Sequence, residues 1–114
     1  MRFLLLLLLP LQALALTPEA KEWLAISAQL EPVQCEKRQL RREMAMAQVQ
    51  DQGEEMKKLR ARVDALNRNK ETARLEQRLA ELEKRMSDGK GGLRDAADLD
   101  AISAQQRQAF YRCE

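Results

Sequence analysis

The 51 residues from Glu36 to Met86 contain no proline, and 34 of them are Ala, Glu, Lys, Leu or Arg. A stretch of that length and composition is compatible with long amphipathic helix or coiled coil and with little else. The expected fold is therefore all-α: an elongated hairpin of coiled-coil-like helices, about three in number, forming a single domain over residues 16–114.

The charges in this stretch have the spacing of a solvated face. Glu54 and Lys58, Asp64 and Arg68, and Glu81 and Arg85 stand i,i+4 with the acid first. That is the favourable order, contributing a few tenths of a kcal/mol each without specifying a fold. The apolar positions say more because they fall out of phase. Met56, Leu59, Val63 and Leu66 form one block, and Leu75, Leu79, Leu82 and Met86 form another. Leu66 and Leu75 are nine residues apart, which at about 100° per residue puts them on opposite sides of a straight helix. Leu40 and Met44 lie on a further face. Either the helix breaks between blocks, or different faces meet different partners. Gly53 invites one break, because glycine can end a helix and Glu54-Glu55 can begin the next. Asn67-Arg68-Asn69-Lys70 invites another, because asparagine is a poor helix former and a good cap.

Before this stretch, Thr17-Pro18-Glu19 has the cap, the first-turn proline and the acid of a helix start. Trp23, Ile26 and Leu30 recur at helical spacing. Pro32 disfavours helix at Glu31, so a helix is expected over about 18–30. After it, Ser87 to Arg94 carries three of the four glycines. It reads as a flexible connection, since it lacks the spacing of a phosphate-cradling loop. A last helix is expected over about 96–112, capped by Asp95 or Asp98, with Leu99, Ile102, Phe110 and Cys113 on one side and Tyr111 off the stripe.

Residues 1–15 have another character. Arg2 is followed by a short leucine-rich run and Ala13-Leu14-Ala15, the three-part pattern of a cleavable signal peptide. The run is shorter than the roughly 20 apolar residues a membrane span needs, and Pro10 interrupts it. Export is expected, to a bacterial periplasm rather than the extracellular medium. Cleavage leaves 19 basic and 18 acidic residues, so no global field steers the chain to nucleic acid.

Cys35 and Cys113 are the disulfide candidates, because an exported chain meets an oxidising compartment. There is no Cys-x-x-Cys for dithiol chemistry and no histidine to complete a zinc site. Geometry separates two arrangements. If residues 36–86 form one helix, it extends about 76 Å, and the remaining chain cannot bring Cys113 back to Cys35. If the chain reverses at Gly53, the segments up, down and up again leave the two cysteines about 5 Å apart along the axis. The first arrangement implies free or intermolecular thiols, the second a bond within one chain.

Nothing in the chain has the pattern of an active site. Ser27, Ser87 and Ser103 lie in no nucleophile motif, and the neighbouring carboxylates Glu54-Glu55 and Glu81/Glu83 have the character of solvated helix charges. Lys37, Arg38, Arg41 and Arg42, and Lys57, Lys58, Arg60 and Arg62, are interleaved with acids. The reading is a non-enzymatic interaction or structural protein of the cell envelope. It needs no cofactor, metal, nucleic acid or small-molecule substrate, and no membrane contact after cleavage. Its interaction faces are expected at Met56, Leu59, Val63 and Leu66 or at Leu75, Leu79, Leu82 and Met86, turned to a protein partner or a second copy. Two alternatives are a periplasmic holdase using Met44, Met46, Met56 and Met86 as an adaptable surface, and a coiled-coil protein tethered through an uncleaved N-terminus.

Overall fold

The structure, a computed structural model, describes residues 15–113, so the segment read as a signal peptide lies outside it except for Ala15. Among the described residues there are four helices and no strand, arranged as an elongated all-α molecule about 49 Å long. The helices are α1 Pro18–Val49, α2 Gly53–Arg68, α3 Lys70–Met86 and α4 Ala96–Arg112. None is long and apolar enough to cross a membrane.

α1 is the spine. Thr17 caps it by accepting from the Ala20 N–H, with Pro18 in the first turn. It does not stop at Leu30 but continues through Pro32 to Val49. An internal proline costs about 3 kcal/mol or more in a helix. Here Pro32 and Ala28 both lie on the exposed side, so the carbonyl left without its N–H meets water. On either side, Leu30 and Leu40 are almost wholly buried, and their packing holds both halves of the helix in one line.

The chain then reverses in three residues. The Gln52 N–H donates to the Ala47 carbonyl and the Asp51 N–H to the Gln48 carbonyl, the two bonds of a Schellman turn. The residue in the left-handed conformation is Asp51, with φ 56°. Gly53 is already the first residue of α2, and a Cβ there would meet nothing within 4 Å. The reversal expected at glycine is therefore made by an aspartate two residues earlier. One unbroken helix over 36–86 is excluded.

α2 and α3 together run back along α1. Asn69 separates them with an extended ψ of 119°, and its side chain accepts from the Thr72 N–H to cap α3. This interruption solves the phase problem. Leu66 and Leu75 would oppose each other on a continuous helix, but the break resets the rotation and both blocks face α1. Leu59 packs with Leu40 and Ala47, with Met44, Met56, Val63 and Leu66 around them. Leu79, Leu82 and Met86 pack with Trp23, Ile26 and Leu30, joined by Ile102 of α4 and partly by Leu75.

The loop from Ser87 to Asp95 is braced, not loose. The Asp88 carboxylate accepts from the Lys90 and Gly92 N–H groups, and Ser87 and Leu93 form an isolated bridge. Gly89 and Gly91 take positive φ values of 79° and 87°, where side chains are disfavoured. The backbone donors that could cradle an anion already hold Asp88, and they depress its pKa.

α4 begins at Asp95, whose side chain accepts from the Asp98 N–H. It lies parallel to α1. Thr17 bonds Asp98 and Glu31 bonds Arg112, both across a separation of 81 residues, a constant offset that antiparallel helices cannot give. α4 reaches only as far as Cys35, where Cys113 forms the disulfide with Cα atoms 5.4 Å apart. The molecule thus has a three-helix base and a two-helix arm, with the bridge at their junction.

Candidate functional site

The residues expected to form an interaction face turn inward. Leu59, Leu79, Leu82 and Met86 are buried, Leu82 completely, and Met56, Val63, Leu66 and Leu75 are half-buried against them. Both blocks are the seam between the returning helices and α1, because a chain poor in apolar residues covers those it has. Of the four methionines proposed as an adaptable surface, Met86 is buried, Met44 and Met56 are half-buried, and Met46 is exposed.

Exposed apolar side chains gather in two other places. At the tip of the arm, Val49 is 82% exposed and Met46 57%. Met46 lines an open cleft together with Arg42, Glu43, Ala47, Gln50, Gln52, Glu55 and Leu59. On α4, Phe110 and Tyr111 are exposed, with ring centroids 5.8 Å apart in an edge-on arrangement. The Arg38 guanidinium sits 5.1 Å from the Phe110 ring centre, a cation–π contact between α1 and α4. Leu99 is also exposed, so the α4 stripe expected from sequence is buried at Ile102 and Cys113 alone.

The charges both stitch helices together and pair within single ones. None of the three i,i+4 pairs expected from sequence forms an ion pair. The intrahelical pairs are i,i+3: Glu54–Lys57, Glu71–Arg74 and Arg78–Glu81. Glu54 and Glu81 each take a partner three residues away on their own helix instead of the one four residues on, while a second set of charges reaches across helices. Arg78 engages Glu22 through two bonds of 2.6 and 2.8 Å. Arg112 engages Glu31 through bonds of 3.0 and 2.6 Å. Lys37 reaches Glu76 at 3.0 Å, and Arg62 reaches Glu36 at 3.6 Å. The Arg78 bonds hold the Glu22 carboxyl below its ordinary pKa, and the Arg112 bonds do the same for Glu31. Of the two basic clusters, Lys37, Arg38, Lys57 and Arg62 have partners within the fold, and Arg41, Arg42, Lys58 and Arg60 form no ion pair among the described residues. The indole N–H of Trp23 donates to Glu83 at 3.2 Å, so this residue anchors α1 on α3 as a packing group with a satisfied polar tip.

Among the described residues no three His, Cys, Asp or Glu side chains gather as a metal site. The two cysteines are bonded to each other, which leaves no free thiol among the described residues. The clefts are open to solvent, and that at the α1 start brings together Thr17, Arg94, Asp95 and Asp98. Compared with known proteins, the chain matches no family model, no curated protein and no solved structure.

Proposed function

We propose that the protein is a small exported, non-enzymatic helical adaptor of the bacterial cell envelope that presents the tip of its two-helix arm to a protein partner. The observation that carries this reading is the pair Met46 and Val49. Both are exposed, and Met46 lines a cleft, on the part of the arm that α4 does not reach. Among the described residues the other large aliphatic side chains except Leu99 are buried or half-buried, whereas these two stand in water. Methionine suits a contact that adjusts to its partner. Export is supported by the leucine-rich N-terminus and by a disulfide of the kind that persists in oxidising compartments. The holdase reading is weaker, since Met46 is the single exposed methionine of its four.

A photo-reactive residue placed at position 49 in the exported protein should form a discrete adduct with another polypeptide. The same residue at Lys84, exposed on α3, should not. Equal adduct yields from both positions, or none from 49, would remove the arm tip as the contact.

A further inference from the structure

Asp98 is 1% exposed and is one of the most enclosed side chains of the protein. Its two oxygens accept from the Thr17 N–H at 3.0 Å and the Thr17 hydroxyl at 2.5 Å. Both donors are neutral, and among the described residues no cation lies within ion-pairing distance of it. A buried carboxylate is ordinarily met by a countercharge. The nearby basic groups are Arg85 and Arg94, and the Arg94 guanidinium donates to the Arg85 carbonyl. They face the acids Glu19 and Asp95 in the same cleft.

The missing cation is one peptide away. Ala15 is exposed and Leu16 is half-buried against the first core cluster. Adjacent backbone nitrogens are at most about 3.7 Å apart, so the Leu16 nitrogen lies within about 7 Å of Asp98. We propose that hydrolysis of the Ala15–Leu16 bond is a structural modification, in which the new α-ammonium of Leu16 becomes the counter-ion of Asp98 and completes the docking of α4 on α1. A peptidase adds one water across the amide. The C–N bond breaks, Ala15 leaves as a carboxylate, and the Leu16 nitrogen takes the proton to become an ammonium. The inference rests on the export reading, which it deepens by assigning a role to the cleaved end.

The sign of the effect is fixed. An acid beside an ammonium raises its pKa. The added stability is then present in full below the ordinary α-amino value of about 8 and is lost as pH rises through the higher folded value. The test uses protein exported from the full chain. Its intact mass gives the first residue, and the pH dependence of acylation of its terminal amine gives the titration midpoint. We expect a chain beginning at Leu16 with a midpoint near pH 9, about one unit above the ordinary value, hence roughly fivefold slower acylation at pH 8. An alanine inserted between Ala15 and Leu16 keeps Asp98 but moves the ammonium away by one residue, and should restore the ordinary midpoint. A mature chain beginning at Leu16 with an ordinary midpoint, or an unchanged midpoint in the insertion variant, overturns the inference and leaves export standing. So does cleavage at a different bond. An uncleaved chain overturns both.

Discussion

Asp51 stands where a helix-ending glycine would cost least. It holds φ 56° in the Schellman turn, a conformation that costs a non-glycine residue about 1–2 kcal/mol. Gly53, two residues on, sits in an ordinary helical position with open space where a Cβ would go. The two residues are in each other's best places. Asp51→Gly should stabilise the protein by about 1 kcal/mol, and Gly53→Ala by about 0.5–1 kcal/mol, the second by restricting the unfolded chain. Urea unfolding of both variants checks this. A destabilised Asp51→Gly would mean that the aspartate side chain supports the turn by an interaction absent from the structure. The position of the break was legible in the sequence to within two residues, because Gln50 to Gln52 interrupts the apolar pattern. Which residue makes the turn was not. Aspartate tolerates the left-handed region, but glycine is the stronger signal, and a sequence reading follows the stronger signal. Asn69 was the more readable break, since one residue both ends α2 through its extended backbone and caps α3 through its side chain.

At the scale of elements, the apolar blocks were recognised and their direction was not. The nine-residue gap between Leu66 and Leu75 signalled a discontinuity. Whether the blocks faced partners or one shared neighbour depended on the ψ of Asn69 and on α1 extending past Pro32 to offer a second half of seam. Proline is a local signal, and the burial of Leu30 and Leu40 on its two sides is a tertiary fact that overrides it. The interhelical pairs Glu22–Arg78 and Glu31–Arg112 were equally hidden, because their partners are 56 and 81 residues apart. They set the register of α3 and α4 on the spine, and their pH dependence is defined. Both carboxyls have folded pKa values below the ordinary 4.5. Their contribution is therefore present above that value and is lost as pH falls through the lower folded value. The thermal midpoint should stay flat from about pH 7 to pH 5 and decline below pH 4.5. In the double variant Glu22→Gln, Glu31→Gln the decline should be shallower and the neutral-pH midpoint lower. An acid limb of unchanged slope in that variant would assign the decline to other carboxylates. Asp88, also depressed by its backbone bonds, is the first of those to examine.

The whole molecule is divided by its disulfide. Below Cys35 three helices share a core; above it two helices share a narrower seam, and α4 stops where the division falls. The bridge was foreseeable from length alone once the reversal near Gly53 was allowed, because helix rise per residue turns segment lengths into heights. The parallel setting of α4 followed from that arithmetic, but its thin attachment did not. Of its expected apolar stripe only Ile102 and Cys113 are buried, while Leu99 and Phe110 stay exposed. α4 is thus held at its start by Thr17 and Asp98, in the middle by Ile102, and at its end by the Glu31–Arg112 pair and the bond itself. Closing a loop across a separation of 78 residues is worth about 4 kcal/mol, chiefly through the unfolded chain. The double variant Cys35→Ser, Cys113→Ser should lose about that much overall. Because the end of α4 has so little apolar cover, the loss should also appear locally. Amide hydrogen exchange should accelerate over residues 104–112, while the amides of α3 around Leu82 keep most of their relative protection. Exchange that rises equally in α3 and α4 would show the base to be one cooperative unit that the bond merely stabilises. Exchange confined to the end of α4 would show that the bond fastens a helix the core does not hold alone, leaving the arm and its exposed tip intact on a loosened base.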